Sequence, residues 1–240
     1  MLYNLFNIFL YKPLFNFLVL LYQYIPGHDF GIAIIALTVL IKVVLYPLGT
    51  WGIKSQKAVS EIQPQIKEIQ EKYKDDKEKQ TKEIMALYQK AKVNPFSGCL
   101  PLLIQLPILI ALYRVFWQGL NPDQANLLYG FVHISGPINP LFLGLVNLSS
   151  PNLVLAVLSG ILQFIQTKMV IPKTVVSKTQ KNKGSDFSNI IQKEMQYLFP
   201  VFTIIILIKL PSALGLYIVT TSLFSIIQQY FVMRPQGKKL

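Results

Sequence analysis

Long apolar runs alternate with charged segments along the chain, and this alternation predicts a helical membrane protein. The clearest run, residues 30–48, reads FGIAIIALTVLIKVVLYPL and contains a single charged residue, Lys42, one helical turn after Thr38. At a rise of about 1.5 Å per residue the run is ~28 Å long, close to the thickness of the hydrocarbon core of a bilayer. The pattern therefore predicts a membrane span with an amine inside it.

Four more apolar runs follow, and the third and fourth spans are shorter than the first. The predicted spans are Phe30–Leu48, Cys99–Trp117, Leu153–Thr167, Met195–Leu210 and Ala213–Val232. Pro101 and Pro107 are compatible with the second span because neighbouring helices can satisfy the carbonyls that a proline leaves free. With five spans, the N-terminus and the C-terminus lie on opposite sides of the membrane.

Residues 2–25 are also apolar, yet two features distinguish them from a span. Lys12-Pro13 interrupts the run, and a proline suits the first position of a helix. Beyond it, Lys12, Asn16 and Gln23 lie on one helical face, opposite an apolar face. We predict an external helix lying in the membrane interface. The alternative is a sixth span, which would place the N-terminus inside.

Residues 54–93 are strongly charged and carry apolar residues at helical spacing. These are Ile62, Ile66, Ile69 and Tyr73, followed after residues 74–76 by Ile84, Leu87 or Tyr88, and Ala91. Two amphipathic helices joined by a charged turn predict an antiparallel hairpin in water. Its charges are mainly solvated faces, and a partner site at the tip is the alternative.

The basic residues are concentrated in the segments that separate the spans on one side. Of the 23 Lys and Arg, ten lie between Lys54 and Lys92, six between Lys168 and Lys193 and three after Met233, whereas residues 119–152 contain none. This is the positive-inside pattern. The net charge of +12 therefore indicates a cytoplasmic face directed at anionic lipid or ribosomal RNA, with no role in DNA binding.

A mean hydropathy of +0.43 and a charged fraction of 14% also exclude an ordinary soluble domain. We predict an all-α polytopic membrane protein with five transmembrane helices, an N-terminal interfacial helix and a cytoplasmic helical hairpin. The external loop is expected to hold short helical pieces, including Leu141–Leu148. The segments are an external interfacial helix and turn (1–29), the first span (30–52), the cytoplasmic hairpin (53–95), the second span (96–118), the external loop (119–152), the third span (153–171), a cytoplasmic loop (172–194), the fourth span (195–210), the fifth span (211–233) and a basic cytoplasmic tail (234–240).

The residue inventory argues against an enzyme. Cys99 is the one cysteine, so no internal disulfide forms, and both His28 and His133 fall in predicted external segments, away from any intramembrane serine. No cluster with metal-ligand spacing occurs, and no Asp or Glu lies inside a predicted span, which disfavours a cation-coupled transporter. We predict no catalytic residue, no cofactor and no metal.

The polar residues inside the spans are the candidate functional positions. An ionised lysine at the depth of Lys42 costs about 2.5–3.5 kcal/mol, so we favour a wet, protein-lined cavity over a side chain that snorkels to the headgroups. For Gln105 we favour a hydrogen bond to a neighbouring helix over a contact with a substrate. Ser159, Gln163 and Gln166 share one face of the third span, which predicts either interhelical contacts or a cavity wall.

Several segments together resemble the YidC/Oxa/Albino family of membrane protein insertases. The segment NPFSGCLPLLIQLPILIALYRVF (94–116) carries most of the resemblance, with IKVVLYPL (41–48), QPQIKEIQEKY (63–73), EIMALYQKAKVNP (83–95), LPSALGLYIVTTSLFSIIQQYF (210–231) and, more weakly, FIQTKM (164–169). These segments cover most of the chain from residue 30 onward in the order that the family has.

The resemblance implies a hydrophilic groove that is open to the cytoplasm and the lipid and closed on the outside. Lys42 matches the positive residue of the groove, which is usually arginine in the family, and Thr38 matches a groove threonine. Tyr217 matches a groove position, whereas Ile218 stands where the family often has an aromatic residue. The resemblance also implies location in the bacterial cytoplasmic (inner) membrane, with the N-terminus outside and the C-terminus in the cytoplasm.

The function hypothesis is a membrane protein insertase and chaperone whose groove is lined by Thr38, Lys42, Gln105, Gln163, Gln166 and Tyr217. Its partners would be nascent membrane proteins and the lipid bilayer, with the ribosome, the signal recognition particle receptor and the Sec translocon as further candidates. The alternative hypothesis is a channel or uncoupled carrier for small anions that uses Lys42 as its selectivity charge.

Overall fold

The computed structural model describes residues 2–94, 100–118, 127–132, 136, 138–170 and 186–234, and it is almost entirely helical over them. Cys99 and His133 lie outside the described residues. The elements are α1 (Leu2–Phe6), a π-helix (Asn7–Tyr11), α2 (Lys12–Tyr24), α3 (Phe30–Val44), α4 (Tyr46–Glu61), α5 (Gln63–Lys72), α6 (Lys77–Lys90), α7 (Leu100–Gln118), β1 (Leu141–Phe142), β2 (Val146–Asn147), α8 (Leu153–Val170), α9 (Asp186–Leu207) and α10 (Ser212–Met233).

The N-terminal segment is one continuous helix, so Lys12-Pro13 interrupts the apolar run of the sequence without interrupting the helix. α1 passes through the π-helix directly into α2, and Pro13 lies in the first turn of α2. A proline lacks the N–H that would continue a hydrogen-bond ladder. Pro13 lies where the backbone hydrogen bonds change from the π-helical to the α-helical spacing. Its missing N–H therefore interrupts neither series of hydrogen bonds.

Asn16, which belongs to the predicted polar face of this helix, is buried and does not contact water. This side chain is only 1% exposed. Its Nδ2 donates to Lys12 O at 2.7 Å and Leu127 O at 3.0 Å, and its Oδ1 accepts from Tyr129 N at 2.7 Å. Backbone groups of residues 127–129 need partners where they pack on the helix, and the buried amide supplies them.

The first predicted span is broken close to its end. α3 ends at Val44, and α4 continues from Tyr46 with its axis turned by 67°. Pro47 lies in the first turn of α4, because a proline begins a new helix more readily than it continues the old one. A Cβ at Gly49 would lie 3.0 Å from Gln228 Nε2, so the absence of a side chain lets α4 approach α10.

The charged segment after α4 forms two short helices that contact each other. Asp76 caps α6 by accepting a hydrogen bond from Lys79 N at 3.0 Å. Gln80, which is buried, donates to Gln70 O on α5 at 2.8 Å. α5 and α6 therefore pack as a pair across the turn of residues 73–76. Their position on the cytoplasmic side stays a prediction.

Leu141–Leu148 is not helical, contrary to the prediction. Leu141 pairs with Asn147 and Phe142 pairs with Val146 in a small antiparallel hairpin. Leu143 and Gly144 have φ angles of 51° and 70°, which a right-handed helix does not allow. The hairpin is fixed to the start of α10, because Ala213 N donates to Leu148 O at 3.0 Å.

The interior joins the N-terminal helix, α3, α7 and α10. Phe15, Phe30, Leu112, Phe116 and Leu216 are among its buried side chains, and the rings of Phe30 and Phe116 pack edge to face at 6.2 Å. Part of the outer surface is also apolar: exposed residues on α7, α8 and α9 include Leu103, Leu153, Val154, Leu198 and Phe202. Large exposed apolar surfaces of this kind are typical of a protein that contacts lipid.

Length and composition make some of the described helices candidate spans. Tyr3–Tyr24 and Ser212–Met233 are long and apolar enough to cross a membrane, and the bent pair α3 and α4 would be a third span if counted as one. Leu103–Trp117, Leu153–Met169 and Gln196–Leu207 are apolar but shorter. The count of five spans, and the choice between an interfacial and a spanning N-terminal helix, stay predictions.

The buried amide of Asn16 generates a test of the N-terminal packing. We expect Asn16→Ala to lower the free energy of unfolding by about 1–3 kcal/mol, because it leaves the Leu127 carbonyl and the Tyr129 N–H without their partner. Unfolding would be measured by denaturant titration in mixed micelles. Asn4→Ala, on an exposed position of the same helix, is the control. Equal losses in the two variants would contradict the role of Asn16.

Candidate functional site

Lys42 lies in the last turn of α3, within an otherwise apolar helix. Its Nζ donates to Ser225 Oγ on α10 at 3.2 Å, and the side chain is half-buried. A cation is favoured near the C-terminus of a helix, where unpaired carbonyls concentrate partial negative charge. The break after Val44 therefore creates a local environment that lowers the cost of an amine at this depth.

α10 carries a row of polar side chains, one of which contacts Lys42. Tyr217, Thr221, Ser225 and Gln228 are spaced four, four and three residues apart, so they share one face of this helix. Gln228 Nε2 donates to Tyr46 O at 2.9 Å and to Thr50 Oγ1 at 3.0 Å. α10 is thus hydrogen-bonded to α3 through Ser225 and to α4 through Gln228.

Ser225 and Gln228 were not identified in the sequence, although their spacing could have revealed them. Ser225 and Gln228 lie eight and eleven residues after Tyr217, so they fall on the same helical face as this groove candidate. Ser222 and Gln229 form a second buried polar pair on α10, seven residues apart. A span with two polar faces is suited to line an aqueous interior and to contact neighbouring helices.

Thr38 and Gln105 occupy the bundle interior in different ways. Thr38 is 1% exposed, and its hydroxyl donates within α3 to Ile34 O at 2.6 Å. Gln105 Nε2 on α7 donates to the hydroxyl of Tyr217, which is itself buried. Gln105 therefore makes an interhelical contact between α7 and α10, the role that its sequence context favoured.

The polar face of α8 divides into two parts. Ser159 is fully buried and donates to Leu155 O at 2.7 Å and to Gly215 O on α10 at 3.1 Å, which makes it an interhelical contact. Gln163 and Gln166, one and two turns further along, are half-buried. Among the described hydrogen bonds, none joins these two glutamines to Lys42.

Three buried oxygens in the described part of the chain lack a hydrogen-bond partner: Gln163 Oε1, Thr221 Oγ1 and Gln229 Oε1. Buried polar atoms nearly always have a protein or water partner. These oxygens are therefore places where water or a polar segment of another molecule would be stabilised. They lie on α8 and α10, two helices that pack on each other.

Among the described residues, no group of three or more His, Cys, Asp or Glu is placed to hold a metal ion. His28 lies in the turn before α3, with Nδ1 at 3.1 Å from Tyr22 O. The site consists of one amine and neutral hydroxyl and amide groups, distributed over α3, α7, α8 and α10. The fold and this site define an integral membrane protein with a polar interior.

Comparison with known proteins assigns the family. The family model described as 60Kd inner membrane protein matches residues 20–239. A protein of Fusobacterium nucleatum named membrane protein insertase YidC is 36% identical over 228 residues, which are 94% of this chain and 98% of that protein. The chain belongs to this family, the YidC/Oxa family of membrane protein insertases, and the resemblance seen in the sequence is confirmed.

Other relatives differ in length. A Clostridium tetani protein of the same name is 35% identical over 233 residues, covering 95% of this chain and 94% of its own length. A Geobacter metallireducens protein of that name is 35% identical over 221 residues, covering 92% of this chain but 36% of that protein. The chain thus spans about a third of the length of that relative. It is a multi-pass protein of the bacterial inner membrane.

The contacts of Gln228 can be tested by a double-mutant cycle with Thr50. We expect Gln228→Ala and Thr50→Val to destabilise the protein, with a coupling of roughly 0.5–1 kcal/mol, the size of a side-chain hydrogen bond between membrane helices. Unfolding of the four proteins would be followed in mixed micelles. Leu223→Ala, at an exposed position of α10, is the control and is expected to change stability little. Additive effects of the first two changes would contradict the contact.

Proposed function

We propose that this protein inserts nascent membrane proteins into the bilayer, and assists their folding, through a hydrophilic groove that carries a positive charge. The groove opens toward the cytoplasm and toward lipid. Its lining consists of Thr38, Lys42, Gln105, Gln163, Gln166 and Tyr217. Membership of the family and the insertase names of the relatives support the general activity. The groove itself is our proposal.

The observation that carries the proposal is the placement of Lys42. An ammonium in an apolar helix is retained against its desolvation cost, and its described partner, Ser225 Oγ, is neutral. The positive charge is therefore not cancelled by an acidic neighbour at that contact. It remains available to an acidic group of a segment that enters between the helices.

The physical role of the groove is to lower a barrier. A short hydrophilic segment that crosses an apolar slab loses the hydration of its polar groups, and this loss dominates the cost of crossing. Water and partners held at Gln163 and Thr221, which have unpaired buried oxygens, would replace part of that hydration. The apolar stretch of the substrate then moves sideways into lipid, where burial of its CH₂ groups drives the net reaction.

Two further features belong to the proposal. The α5–α6 pair, which is rich in lysine, would bind partners on the cytoplasmic side. These partners would be substrates, the ribosome, the signal recognition particle receptor or the Sec translocon. The membrane arrangement has five spans, with the N-terminal helix outside and the C-terminal tail inside. This orientation follows from the positive-inside distribution of lysine and arginine.

Insertion into proteoliposomes that contain only this protein tests the groove charge. The substrate is a small single-span protein with an acidic external tail, compared with a neutral-tail version of itself. We expect Lys42→Ala to lower insertion of the acidic-tail substrate roughly tenfold, equivalent to about 1.4 kcal/mol, because a coulombic attraction is lost. Insertion of the neutral-tail substrate is expected to change much less.

The controls for this experiment separate charge from structure. Lys42→Arg restores the charge and is expected to restore insertion. Lys209→Ala removes an exposed lysine in the turn between α9 and α10 and is expected to have no effect. Equal insertion by wild type and Lys42→Ala would refute the electrostatic step. Anion flux through the pure protein without insertion would refute the insertase and favour an anion channel.

The orientation can be tested with single cysteines in a Cys99→Ser background. We expect Leu145→Cys, at the exposed tip of the β1–β2 hairpin, to react with a membrane-impermeant maleimide in intact spheroplasts. Asp75→Cys, in the turn between α5 and α6, is expected to react only after the membrane is opened. The reverse order of labelling would overturn the proposed orientation, and mass shifts on denaturing gels would report it.

A further inference from the structure

A cavity between the N-terminal helix and the end of α7 lies apart from the proposed groove. It has a volume of about 240 Å³ and contains two cationic side chains, Lys12 and Arg114, together with Tyr3, Asn7, Ile8 and Tyr11. The proposed insertion mechanism uses none of these residues. A small space with two cations and several hydroxyl or amide groups is suited to an anion.

Among the described residues, Arg114 is held in place by uncharged partners. Its Nη1 donates to Asn7 Oδ1 at 3.2 Å and its Nη2 donates to Tyr3 OH at 3.3 Å. The rings of Tyr3, Phe6 and Tyr11 lie 5.2, 5.9 and 5.7 Å from its Cζ, within the range of cation–π attraction. These partners are all uncharged, and they leave other N–H groups of the guanidinium for a ligand.

The π-helix explains how three side chains of one helix reach this arginine. Tyr3, Asn7 and Tyr11 are spaced four residues apart. Four residues are slightly more than one turn of an α-helix. They are slightly less than one turn of the wider π-helix at Asn7–Tyr11. The two deviations offset each other, so the three side chains lie on the same side. Short π segments inside helices are frequently found at functional sites.

The surroundings of the cavity are apolar and exposed. Ile8, which lines the cavity, is 59% exposed, the neighbouring Phe9 is 72% exposed, and Tyr3 at its edge is 62% exposed. In a membrane protein such side chains contact acyl chains. A ligand that fits both the cationic cavity and the apolar surface beside it has an anionic group, which would contact Arg114 and Lys12, and an apolar tail.

We propose that this cavity binds the phosphate group of a phospholipid, with Arg114 as the main ligand and Lys12 as the second cation. Arginine recognises phosphate oxygens through paired N–H groups, which a point-like ammonium does not reproduce. The bound lipid fixes the N-terminal helix against α7 at the headgroup level. The site is separate from the groove, so its failure would leave the proposed insertion mechanism unaffected.

Native mass spectrometry of the purified full chain in detergent, titrated with short-chain lipids, measures the binding. The probes are phosphatidylglycerol, phosphatidylcholine, diacylglycerol without phosphate, and inorganic phosphate. We expect both phospholipids to bind wild type, the anionic one more tightly, and diacylglycerol to bind at least tenfold more weakly. Arg114→Gln is expected to weaken phosphatidylglycerol binding about tenfold or more, as expected for losing hydrogen bonds made by a charged group.

Matched variants show whether the effect is local. Arg114→Lys keeps the charge and is expected to retain part of the affinity, whereas Lys209→Gln removes an equal charge far from the cavity and is expected to retain all of it. Unchanged binding by Arg114→Gln, or an equal loss in Lys209→Gln, would overturn the site. Inorganic phosphate binding as tightly as phosphatidylglycerol would overturn the lipid assignment in favour of a free-phosphate site.

A second measurement uses wild type only, in case the arginine variant fails to fold. A phospholipid with a photoreactive headgroup, incorporated into nanodiscs with the full chain, is cross-linked and the adducts are mapped by peptide mass spectrometry. We expect adducts to concentrate on residues 2–12 and on the end of α7. An even distribution that includes the turn at Lys209 would overturn the proposal.

Discussion

The structure depends on accommodating an amine inside an apolar helix. Lys42 lies in the last turn of α3 because Pro47 begins a new helix in a new direction, and this break brings the carbonyl end of α3 close to the charge. Ser225 on α10 completes the arrangement. A straight helix through residue 48 would have placed the same amine in mid-helix, where paired carbonyls give it little stabilisation.

α10 connects the other helices because its polar side chains have few alternatives in lipid. Buried hydrogen-bonding groups must be satisfied by neighbouring helices, and small residues let those neighbours approach. Ser159 donates to Gly215 O, Gln105 to Tyr217 and Gln228 to Tyr46 O. The described buried oxygens that remain unpaired lie on α8 and α10, so the helices that hold the bundle together also carry positions at which water would be stabilised.

The N-terminal helix shows a second way of stabilising polar groups at a membrane. Asn16 satisfies the backbone of the segment that packs on it, and Asn7 and Tyr3 hold Arg114 of α7. Both arrangements pair a side chain of the helix with a group about 110 residues away, so only long-range folding creates them. The exposed apolar residues between these contacts, such as Phe9, then face lipid.

The sequence by itself determined the family, the all-α class and the existence of the apolar helices, since apolar periodicity and ordered motifs are local properties. It also singled out Lys42 and Gln105 from their polarity within apolar spans, and Tyr217 from the family resemblance. The tertiary structure decided which of these residues meet. Lys42 contacts Ser225, and Asn16 is buried against Tyr129, only because the fold brings together residues that are far apart in the chain. The hairpin at Leu141–Phe142 depends on a turn whose residues have positive φ angles. Local propensity does not encode such pairings, because a polar side chain in an apolar setting is stabilised by whichever partner the packing brings to it.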